Sequence, residues 1–309
     1  GVATALLTSP SFDVVYRDLL LPLFTGAELH VPGHQIRTAP SEVLPWIIER
    51  AVQVIHAVPS LSARWIEAAP GLQAPSLSWT AFAGERLFDR HLTRWRAVAP
   101  NSRILNLYGP TETTLAAFCY RVPDPPAAGL QPVGQPLPDT RLSLEPVSEG
   151  GVSVTIETPY GSLGYLPDTC TEDDLLRLRR VEHLTRFRTQ DRGRLDPAGD
   201  LVIEGRLDSL VKRHGSFVDT ALVEAAAGEL EGVRAACCVQ VDVTGSGEVV
   251  LAVECSTAHT PAALRRALVR RLGFTMLPDQ VVPLPQMPLL PSGKVDRRGV
   301  RALLDPDPS

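Results

Sequence analysis

Between residues 3 and 120, short apolar runs alternate with segments of helical spacing, and that alternation limits the fold more than any other property of the chain. Ala3–Thr8, Ala27–Pro32, Val52–Val58, Ser78–Ala83 and Ile104–Tyr108 read as strands; Asp13–Phe24, Ser41–Arg50, Leu61–Ala68 and Asp89–Val98 read as helices, with Ser41 placed as an N-cap. Strands that recur after a helix-length interval are predicted to pair in parallel, because the crossover helix brings the chain back to start the next strand in the same direction. Such open sheets keep their ligands at the carboxyl ends of their strands. The run ending at Tyr108 breaks into Gly109-Pro110 and is followed by Thr111, Glu112, Thr113 and Thr114, so hydroxyls and one carboxylate stand where a buried strand emerges.

After Pro123 the texture changes. Short strand candidates at Thr140–Glu145 and Val152–Glu157 predict a smaller, mainly antiparallel sheet, and Asp173–Leu184 reads as a helix. The turn Asp196-Pro197-Ala198-Gly199-Asp200 between apolar arms predicts a hairpin. Beyond Asp208 the pattern is α+β: a strand at Leu210–Lys212, a helix at Thr220–Leu230, strands at Ala235–Val241 and Val249–Cys255, and a helix at Pro261–Leu272. The expected division is a large domain over residues 1–207, a small one over 208–304 and a loose polar tail over 305–309.

Composition removes several function classes. A net charge of -5 and a pI near 5.8 leave no basic stripe for nucleic acid. Arg265, Arg266, Arg270 and Arg271 fall at helical spacing and read as a solvated helix face. Five cysteines, an odd number without regular spacing, fit a reducing cytoplasm rather than a disulfide scaffold. The neighbours Cys237 and Cys238 are expected to point to opposite sides of a strand. No signal peptide and no apolar run of spanning length is present, so a membrane role is not expected.

Six stretches occur in a fixed order: Ser11-Phe12-Asp13; Phe82-Ala83-Gly84-Glu85; Asn106-Leu107-Tyr108-Gly109-Pro110-Thr111-Glu112-Thr113; Phe187-Arg188-Thr189-Gln190-Asp191; Gly205-Arg206-Leu207-Asp208 with Lys212 and Gly215; and Pro291-Ser292-Gly293-Lys294. Together they make the chain resemble the amino-acid adenylation domains of nonribosomal peptide synthetases, members of the adenylate-forming enzymes. The resemblance implies a parallel sheet with flanking helices, a small antiparallel sheet and a mobile C-terminal α+β domain. It implies ATP and Mg²⁺ as cofactors and an amino acid as substrate. It also implies a peptidyl carrier protein whose phosphopantetheine thiol takes the product, with neighbouring synthetase domains and an MbtH-like helper as further partners.

Residue by residue, the resemblance implies that Gly84, Asn106, Tyr108, Asp191 and Arg206 bind the nucleotide, Tyr108 stacking on adenine and Asp191 accepting from the ribose hydroxyls. It makes Thr111 a phosphate contact, Glu112 the Mg²⁺ ligand and Lys294 the cation that enters for adenylation. Asp208 becomes the hinge and Gly215 part of the segment facing the carrier's thiol arm. Asp13 would pair with the substrate's α-ammonium, although a helix N-cap is an equal reading of its local sequence. The side-chain pocket carries over as Val14, Arg17, His56, Ala81, Ala83, Leu107, Leu115 and Ala116, in which two basic groups point to a polar or acidic side chain.

The chain departs from the family in opening past the phosphate-binding loop, which is expected from a preceding segment, a separate chain or a longer native protein of which this is a piece. Gln190 replaces a glycine and is expected to crowd a turn beside the ribose. Two alternatives remain at this point: a catalytically degenerate docking module, and an acyl- or aryl-CoA ligase, against which Asp13 argues.

Overall fold

The computed structural model describes residues 1–10, 12–147, 152–166, 170–213, 216–241, 247–255, 259–274, 276–290 and 295–305. The chain divides into two compact units, Gly1–Glu204 and Gly205–Ser309.

The first unit is built on a sheet of seven strands in the order β2-β1-β3-β4-β5-β6-β7. The strands β1 (Ala3–Ala5), β2 (Glu28–His30), β3 (Val54–Ala57), β4 (Trp79–Ala83) and β5 (Arg103–Tyr108) are parallel, as the alternation predicts. Two antiparallel strands that the sequence reading missed, β6 (Phe118–Arg121) and β7 (Gln135–Pro136), extend the sheet. The crossovers are α1 (Val15–Thr25), the short α2 (His34–Thr38), α3 (Pro40–Glu49), α4 (Pro59–Ala68) and α5 (Asp89–Val98). Ser41 does not cap α3. Ala39 occupies that place with no side-chain bond, and Pro40 at the first helical position presets the backbone angle that a cap otherwise fixes.

Register decides which side chains share a face. His56 pairs with Ala81, Ala57 with Phe82, Phe82 with Asn106, Ala83 with Leu107 and Leu107 with Cys119. With a side-chain period of two, Ile55, Ala57, Phe82 and Ile104 point together into the main core against Leu44 and Ile47 of α3, Trp65 of α4 and Leu92 and Trp95 of α5. Thr80 lies on the same face and accepts a bond from the Trp95 indole at 3.1 Å. His56, Ala81, Ala83, Leu107 and Cys119 form a row on the other face.

A second sheet runs in the order β10-β11-β9-β8, with β12 on β11. Its strands are β8 (Arg141–Pro146), β9 (Val152–Thr158), β10 (Leu178–Val181), β11 (Leu184–Leu195) and β12 (Leu201–Arg206). The predicted hairpin joins β11 to β12. The predicted helix over Asp173–Leu184 is only α6 (Glu172–Arg177), started by a capping box of Thr171 and Asp174. From Leu178 the chain pairs with β11 instead, and sheet pairing outweighs helical propensity there.

The second unit contains a hairpin, β13 (Leu210–Arg213) with β14 (Ser216–Asp219), and a sheet in the order β15-β16-β17. That sheet comprises β15 (Val233–Val241), β16 (Glu248–Cys255) and β17 (Gln280–Leu284), accompanied by α7 (Thr220–Gly228), α8 (Pro261–Leu272) and α9 (Arg297–Leu304). Cys238 packs with Val223 and Leu264, whereas Cys237 packs with Met287 and Val300, on opposite sides of β15. The four arginines of α8 are exposed, as expected. Asp305 is buried and closes the last turn of α9, so the loose tail does not begin there; residues 306–309 lie outside the described residues. Among the described residues, no helix is long and apolar enough to cross a membrane.

The packing under β4 makes an acid-sensitive point. His91 on α5 stands edge-on to Phe82, 5.1 Å between ring centroids, with Nε2 3.0 Å from Ser62 Oγ. Burial, then the charges of Arg94 and Arg90, push its pKa down to about 4 from 6.5. A depressed value means that the unfolded chain binds the proton first, so this contribution to stability is complete above pH 6.5 and is lost as pH falls toward 4. The loss amounts to about 3 kcal/mol at most. Urea unfolding followed between pH 7 and 4 should show this slope, and His91→Gln should flatten it; an unchanged slope in the variant contradicts the assignment.

Candidate functional site

The carboxyl end of β5 brings two elements together. Asn106 and Tyr108 lie on the same face of the strand. Asn106 is 2% exposed, its Nδ2 donates to the Pro132 carbonyl at 2.7 Å, and its Oδ1 is buried with no partner among the described residues. The Tyr108 hydroxyl donates to Asp191 Oδ2 at 2.5 Å, joining β5 to β11 of the second sheet. The Tyr108 ring leans on Phe118 of β6, with centroids 5.9 Å apart. Three of the predicted nucleotide residues, Asn106, Tyr108 and Asp191, therefore stand together. Gly84, at the carboxyl end of the adjacent β4, adopts φ +83°, a conformation that favours glycine.

The chain leaves β5 through a tight loop. Thr111–Thr113 form a single 3₁₀ turn, Thr114 and Leu115 both take positive φ, and Ala117 N–H returns to the Tyr108 carbonyl at 2.8 Å. Positive φ at two successive non-glycine residues is strained backbone, and such strain persists only where the surroundings hold it. Here the loop after β9 holds it. Thr114 Oγ1 donates to the Tyr160 carbonyl, Ser162 N–H donates to the Glu112 carbonyl at 2.8 Å, and the Tyr165 hydroxyl donates to Glu112 Oε1 at 2.6 Å. Burial and then the bond to Glu112 hold the Tyr165 phenol far above its ordinary pKa, so it remains a donor. Thr111 is exposed beside this braced carboxylate.

The opposite face of the sheet carries a second cluster. Ala81 and Ala83 make a low floor flanked by His56, Leu107 and Cys119. Above it, α1 contributes Arg17 and Asp18. Asp18 is 2% exposed; its Oδ1 lies 2.6 Å from His56 Nδ1, and its Oδ2 accepts the Thr8 N–H at 3.3 Å. Both terminal nitrogens of Arg17 are buried and have no hydrogen-bond partner among the described residues. Burial lowers the Arg17 pKa, against the attraction of Asp18, Asp13 and Cys119. Asp13 does not cap α1, whose N-cap position is Val14 and carries no side-chain bond; its carboxylate is left for another role. Leu115 and Ala116 belong to the strained loop beyond β5.

Other predicted residues are placed elsewhere. Arg206 is exposed and belongs to the second unit, as does Asp208 in the 3₁₀ turn Leu207–Ser209. Gly215 and Lys294 lie outside the described residues. Gln190 does not crowd a turn: it sits within β11, where the register shifts between Arg188 and Arg192, at a φ that any residue adopts. Sequence reasoning missed Asp18, Cys119, Tyr160 and Tyr165. The one signal in the sequence was Asp18 itself, an acid inside the apolar stripe of α1.

Residues 3–164, more than half of the chain, match the model of the AMP-binding enzyme family, and the chain belongs to that family. It is 28% identical over 309 residues to the delta-poly-L-ornithine synthetase of Acinetobacter baumannii, a match covering 95% of this chain and 22% of that protein. The crystal structure of IdnL7 aligns with a TM-score of 0.81 at 26% identity, covering 98% of this chain and 60% of that one. A four-domain nonribosomal peptide synthetase bound to AMP and glycine aligns with a TM-score of 0.80 at 22% identity, over 100% of this chain and 23% of its own. The fold is that of adenylate-forming enzymes, and the chain spans about a fifth of the first relative's length.

Gly109 is the tightest point of the site loop. A Cβ there would stand 2.6 Å from Ala117 N and 2.8 Å from Ala116 Cα, backbone atoms that cannot rotate away. Gly109→Ala is expected to cost about 1–3 kcal/mol in chemical unfolding as the loop shifts; an unaltered midpoint would mean that the loop has room the geometry denies.

Proposed function

We propose that this chain forms part of an amino-acid adenylation domain, which joins an amino acid to AMP and passes it to the phosphopantetheine thiol of a carrier protein. The observation that supports this best is the meeting of Asn106, Tyr108 and Asp191 across two sheets, with the Asn106 Oδ1 buried and without a partner among the described residues. An acceptor in that position suits the exocyclic amine of adenine, the Tyr108 ring offers a stacking surface, and Asp191 offers oxygens to ribose hydroxyls.

In the first half-reaction a carboxylate oxygen of the amino acid attacks the α-phosphorus of ATP. The new O–P bond forms as the bond to the bridging oxygen breaks and pyrophosphate leaves. The site must spread negative charge over the phosphates. Thr111 supplies a hydroxyl at the loop tip, and Glu112 is the acid nearest the phosphates in this reading. With Oε1 accepting from Tyr165, Oε2 is the oxygen of Glu112 that could serve as a hard donor, and a single carboxylate with nucleotide phosphates and water is a donor set that suits Mg²⁺. Bound there, the ion would neutralise developing phosphate charge. Lys294 is the cation assigned to the reacting carboxylate and α-phosphate, with Arg206 assisting at the ribose and phosphates.

In the second half-reaction the carrier's thiol sulfur attacks the acyl carbon. A C–S bond forms, the C–O bond to AMP breaks, and the thiol proton is released to water. Asp208 is assigned as the hinge between the two half-reactions, and the segment to Gly215 as the surface for the thiol arm. Neighbouring synthetase domains and an MbtH-like helper belong to the same reading, as does a cytoplasmic setting. Asp13, which does not cap α1, favours an α-amino acid over a plain carboxylic acid, which would bring no ammonium to pair with that carboxylate.

The test is exchange of labelled pyrophosphate into ATP by the polypeptide that carries this chain together with a phosphate-binding loop. Exchange that depends on added amino acid, and falls about a hundredfold or more in Asp191→Ala, is the expected result. Exchange no greater than the amino-acid-free background overturns the reading.

A further inference from the structure

Arg17 is the unusual group of the second cluster. A guanidinium carries five N–H donors and keeps its proton in a protein, so burying both terminal nitrogens without acceptors is costly unless something arrives to accept from them. The described residues offer no such group. Asp18, its neighbour in sequence, gives Oδ1 to His56 and Oδ2 to the Thr8 backbone. Burial pushes the Cys119 thiol up, so it stays neutral and is no counter-ion. Asp13 attracts Arg17 through space but makes no hydrogen bond to it. On the sheet face that His56 shares, Ala81 and Ala83 are the small residues of β4.

We propose that the amino acid taken by this site carries a carboxylate on its side chain, gripped by the two terminal nitrogens of Arg17. This rests on the adenylation reading above and adds the substrate class to it. A carboxylate matches the planar fork of a guanidinium with two parallel bonds. A side-chain amide offers one acceptor and sets its own donors against the fork. An aliphatic side chain leaves both nitrogens buried and unsatisfied, which the site would reject. The buried Asp18–His56 pair fixes the imidazole, and Asp18 attracts Arg17 without hydrogen-bonding its terminal nitrogens.

The probes are non-hydrolysable aminoacyl sulfamoyl adenosines with aspartyl, glutamyl, asparaginyl, glutaminyl and leucyl side chains, titrated calorimetrically into the 309-residue chain, with AMP as reference. At least one carboxylate analogue should bind about tenfold or more tighter than its own amide. Arg17→Gln should remove that advantage. Arg17→Lys, which keeps the charge but not the fork, should retain part of it and serves where the glutamine variant melts early. Amide or leucyl analogues that bind as well as the acids overturn the proposal while AMP binding leaves the adenylation reading standing. If neither AMP nor any analogue binds, both fall.

Discussion

The two-residue period of a parallel sheet is the constraint on which the rest of the site depends. Asn106 and Leu107 are adjacent in sequence, yet the pleat sends them to opposite faces, and pairing carries that division across β3, β4 and β6. One face gives the packed core against α3, α4 and α5, with Asn106 and Tyr108 at its carboxyl edge. The other gives the row from His56 to Cys119 beneath α1. Two chemistries are thereby set back to back on one strand end: a buried amide acceptor and an aromatic ring on one side, and charged groups over a low floor on the other. A slip of one residue in β5 would exchange them.

The loop that joins the two sides is held from outside itself. Thr114 and Leu115 sit in backbone conformations that neither residue favours, and Gly109 brings the loop against Ala117 more closely than any side chain permits. The strain is opposed by bonds with the loop after β9, Thr114 to Tyr160, Ser162 to Glu112 and Tyr165 to Glu112, and β11 adds the bond from Tyr108 to Asp191. The loop that follows β9 of the antiparallel sheet thus fixes the direction of the Glu112 carboxylate. It is part of the site as much as it is part of the fold.

Much of this was legible in the sequence where local signals are strong. The alternation of the first 120 residues gave the parallel strands, the Asp196–Asp200 turn gave the β11–β12 hairpin, and Gly109-Pro110 marked the end of β5. Signals failed where pairing partners decide. Leu178–Val181 has helical composition but takes its conformation from β11, and β6 and β7 are too short to show a period. The supports of the site were least legible, because Asp18 meets His56 across 38 residues and Tyr165 meets Glu112 across 53, contacts that no window reveals. The family resemblance implied that Arg17 belongs to the pocket; only packing showed that its two terminal nitrogens have no acceptor among the described residues.

The central claim is that a nucleotide seats at the carboxyl end of β5, between Asn106, Tyr108 and Asp191. Amide hydrogen exchange on the chain with and without saturating AMP tests it most directly. The account predicts slowed exchange over residues 106–117 and 189–193, the loop and the β11 bulge that meet there. Protection confined to other segments, or none at a concentration where AMP binds, would contradict it.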